Sequence, residues 1–327
     1  MKKVIAILLT VVLVLSLAAC NTDNLAEYKK ASEKTEQKTS GQMSGEFSLV
    51  MNFETEGMTA EEIKNLNYFK NMAGSFSAVY DKEAEKGIYR NYISLGGLGF
   101  DFDMYMNGKE MFIKLPVVGK YIRLDEMNKV KSSKDNYNKE IMSEESLKAI
   151  NEKWIGLMKE EDVFKGEDII LTTPDGEVKT TEYTITLSNE QIKTLALESI
   201  EIASKDECLR KFYDEYIENA NEYIRSFDET IEYIKDNIDD YDIKNFKYTA
   251  LVDIDGYIVN ENIEISTAVA DDGLMLTGID YNFDIKIWDI NKDQSFDFPE
   301  LTEKNTLHTD EMEEMPDVME DLFKNKN

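Results

Sequence analysis

Between Phe100 and Leu115, apolar and polar residues alternate on either side of Asn107-Gly108, and no other stretch constrains the fold as tightly. A period of two places Phe100, Phe102, Met104 and Met106 on one face of a strand. Met111, Ile113 and Leu115 return on the same face if Asn107-Gly108 supplies the positive φ angles of a type I′ turn. The product is a β-hairpin with one greasy face, which must be buried against something. The alternation recurs at Phe47, Leu49, Met51 and Phe53, at Phe76, Ala78 and Tyr80, and from Ile88 to Ile93. It appears again at Tyr183, Ile185 and Leu187, at Tyr248, Ala250 and Val252, and from Ile279 to Ile287. Pro174-Asp175-Gly176 and Asp255-Gly256 are turn signals between strands. Tyr121 to Leu124 reads as one more short strand after Gly119.

Helical periods separate these strands. Thr59 and Glu62 have capping-box spacing ahead of Ile63, Leu66 and Phe69. Leu147, Ile150, Trp154 and Leu157 form one stripe over Ser143 to Lys159. Ser188 and Gln191 repeat the capping spacing before Ile192, Leu195 and Ile200. From Asp206 to Asp239 the stripe Phe212, Tyr216, Ala220, Tyr223, Phe227, Ile231, Ile234 and Ile238 predicts a helix of about 50 Å, longer than a small domain is wide, which leaves open a kink or antiparallel pairing with the preceding helix. The expected class is therefore α+β: an antiparallel curved sheet or half-barrel covered by helices, with a long helical insertion.

The first residues set the address. Lys2 and Lys3 precede an apolar run from Val4 to Leu17 that is short for a permanent span, and small residues follow at Ala18 and Ala19. Residues 1–19 read as a secretory signal peptide. Leu17-Ala18-Ala19-Cys20 resembles the lipobox of bacterial lipoproteins, which implies lipidation of Cys20 and display on the extracytoplasmic face of the cell membrane. Residues 20–45, polar and with only Leu25, Tyr28 and Ala31 as a faint helical stripe, are expected to form a lipidated tether that can become a short helix where it meets the body. Residues 46–300 are expected to form the α+β domain, with a helical section over 188–239, and 301–327 a loosely ordered acidic tail. With Cys20 acylated, Cys208 has no intrachain disulfide partner, so stability must come from the core.

Charge narrows the partners. The chain carries 37 Lys+Arg against 66 Asp+Glu, a formal charge of −29. Such a surface repels phosphate backbones, so no nucleic-acid partner is expected. His308 is the only histidine, which leaves no material for a Ser-His or Cys-His nucleophile or a multi-histidine zinc site. No enzyme activity and no cofactor are expected. Asp289, Asn291, Asp293, Asp297 and Glu300 match positions 1, 3, 5, 9 and 12 of a calcium loop, but Gln294 stands where the sharp turn requires glycine. No metal site is assigned there.

Four stretches carry a family resemblance: Gly119 to Leu124, Thr181 to Leu187, Val252 to Tyr257, and Phe296-Asp297-Phe298-Pro299. With the lipidated cysteine and the order of strands and helices, they resemble the LolA/LppX-like lipoprotein fold across nearly the whole chain after the leader. The resemblance implies a half-open barrel whose apolar face can hold acyl chains, and hence a lipid or other hydrophobic small molecule as ligand. Phe47, Met51, Phe102, Met104, Tyr183 and Ile185 are the candidate ligand-binding residues. The long helical section departs from the compact family pattern and leaves a second class open: a structural or interaction lipoprotein with a filled core and an envelope protein as partner.

Overall fold

The computed structural model describes residues 23–114, 119–123, 141–214, 225–270 and 276–307. Within them, helix α1 (Asn24–Glu36) precedes strand β1 (Ser40–Phe53), and α2 (Ala60–Lys70) leads into β2 (Asn71–Asp81), β3 (Lys86–Leu95), β4 (Leu98–Asn107), β5 (Glu110–Lys114) and β6 (Tyr121–Arg123). After α3 (Glu144–Leu157) come β7 (Val163–Thr173) and β8 (Gly176–Ile185), then the helices α4 (Asn189–Ala203), α5 (Glu207–Phe212) and α6 (Phe227–Asp236). Strands β9 (Tyr241–Asp253), β10 (Ile258–Val269), β11 (Leu276–Trp288) and the short β12 (Thr306–Leu307) close the order.

All twelve strands belong to one open sheet, in the order β12-β6-β5-β4-β3-β2-β1-β11-β10-β9-β8-β7. Every pairing is antiparallel except β12 on β6. The centre joins the two ends of the chain, because β1 pairs β11 from Gln42 opposite Trp288 to Phe53 opposite Leu276. The sheet is curved. Strand β7 lies four places from β11, about 19 Å away in a flat sheet, yet the two strands touch. Near their ends, Leu171 shares a cluster with Leu251, Val259 and Ile290, and Lys292 reaches Asp175 at 3.4 Å.

Alternation gives the sheet two unlike faces. Register carries one apolar face across it: Met111 and Ile113 on β5, Phe102 and Met104 on β4, Tyr89 on β3, Phe76 and Tyr80 on β2. It continues through Phe47 and Met51 on β1, Phe283 and Ile287 on β11, Ile263 on β10, Tyr248 and Ala250 on β9, and Tyr183 and Ile185 on β8. Helices α1, α3 and α4 pack Leu25, Tyr28, Ala31, Trp154, Ile155 and Ile192 over its β8–β10 half. The opposite face is mainly polar, with Ser44, Glu46 and Ser48 in its middle. Near β4–β5 that second face carries buried Ile88, Tyr105 and Phe112, covered by Phe296, Phe298 and Leu301 of the final segment.

The hairpin of β4 and β5 forms with its loop one residue later than the sequence predicts. Asn107 pairs with Glu110, so Gly108 and Lys109 make the two-residue loop. Gly108 has φ +60° and Lys109 is not in the positive-φ region, the pattern of a type II′ turn. Met104 consequently faces Ile113 rather than Met111. A shift of two preserves the face, because side-chain direction repeats every two residues. That face is only half-buried here, and Phe100 is 37 % exposed. Leu115 and Leu124 lie outside the described residues.

Three other expectations change. Much of the tether is α1, an integral part of the fold with Tyr28 1 % exposed, and β1 begins at Ser40 rather than near residue 46. The long helix is not continuous: Ser226 has extended backbone and caps α6 through a full capping box with Glu229. Its hydroxyl satisfies an amide that an uninterrupted helix would bond internally. The first part of the acidic tail is ordered, with Thr306 and Leu307 buried beside β6.

Candidate functional site

The exposed half of the apolar face is shaped by glycines opposite aromatic rings. A Cβ on Gly45 would meet the Phe76 ring at 2.5 Å, and one on Gly74 would meet the Phe47 ring at 2.4 Å. Only hydrogen at those positions lets the rings lie down on the sheet. Phe76 in turn stacks on Phe283 of β11, with centroids 6.2 Å apart and planes 20° from parallel. The floor across β2, β1 and β11 is thus flat, aromatic and half-buried.

The six candidate ligand residues share this face but divide into two groups. Phe47, Met51, Phe102 and Met104 are half-buried on β1 and β4. Tyr183 and Ile185 are 5 % and 0 % exposed beneath the helices, in a core filled by protein. There the rings of Tyr28, Tyr183 and Tyr248 meet at 6.2 to 6.5 Å. The Tyr183 hydroxyl donates to Glu27 Oε2 at 2.6 Å, and Lys165 Nζ pairs with the same oxygen at 2.7 Å. The hydrogen bonds from Lys165 and Tyr183 hold the Glu27 carboxyl below its usual range. Burial pushes the phenols of Tyr28 and Tyr183 up to about 12. These are neutral, bonded core tyrosines, and the ligand role expected of Tyr183 and Ile185 has no open surface to act on.

A hollow of about 260 Å³ opens at one end of the same face. Met43 of β1, Tyr80 of β2, Tyr89 of β3 and Met106 of β4 contribute to its lining, with Lys38, Asp81, Lys82 and Lys86. A second, about 150 Å³, is lined by Asp101, Phe102, Asp103 and Lys114. Neither reaches the several-hundred-Å³ volume of an enclosed acyl pocket. The first hollow was missed in the sequence because its lining comes from separate segments. The lysines flanking the β2–β3 turn, Lys82 and Lys86, were its only local sign.

The acidic segment after β11 is organised by its own side chains. Asp289 and Asn291 adopt φ +51° and +56°. Asp289 bonds Lys292 at 2.7 Å and accepts from Gln42 at 3.1 Å, while Asn291 Oδ1 accepts from the Thr39 amide at 2.9 Å. The carboxylate and amide expected at positions 1 and 3 are committed to the protein. Among the described residues no cluster of three or more His, Cys, Asp or Glu is placed to hold a metal. Cys208 is half-buried in α5. Cys20 and His308 lie outside the described residues.

No family model and no curated protein matches the chain. Among solved structures, it is similar to a β-barrel-like protein of a domain of unknown function, DUF1849, from Brucella abortus. The likeness has 7 % identity and a TM-score of 0.20, covering 77 % of this chain and 100 % of that one. At that level it carries no argument about this chain.

Proposed function

We infer that this protein is a lipid-anchored protein of the cell envelope that holds a lipid or similar apolar ligand against the uncovered half of its sheet. One observation carries the reading: Phe47, Met51, Phe76, Phe102, Met104 and Phe283 share a face and stay half-buried, while helices fill the other half. Contiguous apolar surface is costly to leave in water and marks a binding surface when it persists. A flat aromatic floor suits an acyl chain, which needs contact area rather than hydrogen bonds. The LolA/LppX-like resemblance supports the same reading, with an open platform in place of a half-open barrel. The anchor rests on Cys20 and the small residues before it. Among the described residues no helix is long and apolar enough to cross a membrane.

Native mass spectrometry of the purified protein tests the ligand. Retained lipid, or uptake of added lipid with a rise in melting temperature, is the expected result, since a ligand of the folded state stabilises it. Paired substitution Phe47→Asp and Phe102→Asp should abolish uptake with circular dichroism unchanged. A protein that takes up no lipid under any condition belongs to the interaction class instead. For the anchor, Cys20→Ala should abolish incorporation of labelled acyl chains and leave unprocessed precursor. Normal labelling of that variant defeats the anchor.

A further inference from the structure

In a chain with 66 acidic residues, several lysines pair with carboxylates: Lys153 with Glu198 at 3.1 Å, Lys165 with Glu27 at 2.7 Å and Lys179 with Asp168 at 2.8 Å. Lys38, Lys82 and Lys86 are not paired in this way and gather at one place. All three line the 260 Å³ hollow, and among the described residues none has a carboxylate within ion-pair distance. The one acidic residue in the lining, Asp81, accepts from the Ala84 amide at 2.9 Å within the β2–β3 turn. Three like charges around one small hollow repel each other. Burial, and then the charge of Lys82, disfavour the ammonium of Lys38, while Glu261 and Glu36 favour it.

Tyr80, which also contributes to the lining, supplies a second observation. Tyr80 is 5 % exposed, and its hydroxyl oxygen is buried with no hydrogen-bond partner among the described residues. A buried polar group without a partner is rare, and an unseen ligand is one of the few reasons for it. Burial, with Tyr89 beside it, pushes this phenol up to about 12, so the hydroxyl keeps its proton and is available as a donor. The hollow therefore offers three cations and a neutral donor, and Met43 and Met106 form its apolar floor. That floor continues along β1 to Phe47 and along β4 to Met104 and Phe102.

We propose that this hollow seats the anionic head of an amphiphile, a phosphate or carboxylate, whose chain runs from Met43 and Met106 onto the aromatic floor. The head accepts from Tyr80 Oη and pairs with Lys38, Lys82 and Lys86. The volume, about 260 Å³, has room for a compact head. This rests on the apolar face being a ligand platform, and adds which end of the ligand binds where.

Calorimetric titration of the full-length protein, kept soluble in amphipol, tests this with three probes: dodecyl phosphate below its micellar concentration, dodecyl maltoside, and inorganic phosphate. Dodecyl phosphate should bind most tightly. Lys38→Gln, Lys82→Gln and Lys86→Gln together should weaken it at least about tenfold, as expected for removing charge-assisted contacts, and leave dodecyl maltoside unchanged. Tyr80→Phe keeps the ring and should weaken dodecyl phosphate about fivefold, one hydrogen bond's worth. Because the hydroxyl has no protein partner, the same variant should melt no lower than the parent when empty, which a merely structural tyrosine would not do. If inorganic phosphate binds as tightly as dodecyl phosphate, the site takes a free anion and the proposal falls. If both dodecyl probes bind equally and the lysine variant is indifferent, the platform stands and the head seat is overturned. If neither dodecyl probe binds, both readings fail.

Discussion

The indole Nε1 of Trp154 donates to the Tyr28 hydroxyl across 3.2 Å, joining α3 to α1 above the filled half of the sheet. Trp154 also meets the Tyr248 ring edge-on, with centroids 5.3 Å apart. Tyr28→Phe leaves the indole N–H without this acceptor and should cost about 1–2 kcal/mol in urea unfolding. Trp154→Ala removes the aromatic contacts as well and should cost about 3–4 kcal/mol. Equal effects of the two substitutions would show that the hydrogen bond, and not packing, holds the helices.

Asp206 performs two tasks 63 positions from one of its partners. It caps α5 through the Leu209 amide at 2.8 Å and accepts from the Ser143 amide at 3.1 Å, fixing the start of α3. Desolvation is the largest influence and would raise its pKa, but the bonds from Ser143, Ser146 and the Leu209 amide together hold it at about 2, below the usual 3.8. A depressed carboxylate stabilises the fold fully above its unfolded pKa and loses that contribution as pH falls through the folded one. Asp206 should thus contribute about 2 kcal/mol at neutral pH, lost between pH 3.8 and about 2. Asp206→Asn should reduce the acid dependence of stability in that window; an unchanged profile would rule out this role.

Gly45→Ala and Gly74→Ala should each destabilise by about 1–3 kcal/mol, because the added methyl collides with a ring and also with backbone oxygen. The oxygens are Asp284 O at 2.8 Å and Tyr92 O at 2.7 Å from the ideal Cβ positions. Thermal unfolding gives the cost. Pairing Gly74→Ala with Phe47→Leu should recover part of it, and full additivity of the two substitutions would show that ring and glycine do not interact.

Ser226→Ala should cost about 1 kcal/mol by removing the cap of α6. Hydrogen exchange at residues 227–230 should accelerate more than exchange in α4. If both helices loosened equally, α6 would be part of one rigid helical unit rather than a separately capped element.

Much of the sheet was legible because its signals are local. Parity alone puts Phe102 with Met104, Phe47 with Met51, and Tyr183 with Ile185 on one face of their strands, and the caps at Thr59 and Ser188 formed with the predicted partners Glu62 and Gln191. The same signature at Ser226 and Glu229 was hidden by an apolar stripe that runs through it in phase. Helix α1 was legible only as a faint stripe, because it is rich in Lys and Glu and buries small residues, Ala31, Ser32 and Thr35, beside a single Tyr28. Its docking is a tertiary effect with little local trace. The candidate site was legible only as a face. Which half the helices cover depends on how Tyr28 and Trp154, 126 residues apart, pack together on strands β8 to β10, for which alternation has no signal.

The central pairing of β1 with β11 also governs the order of folding. Strands β1 to β5 can assemble as a meander while the chain is still emerging, but the second edge of β1 stays open until residues 276–288 arrive. Non-local pairing of this kind is slow, and an open edge in the meantime is a template for another chain. The early meander carries its own aromatic floor, Phe47 and Phe76, beside that edge. A chain stalled before β11 would therefore not be a smaller version of the protein. It would be a half-sheet with β1 as an open edge and greasy rings alongside, prone to join a second copy of itself.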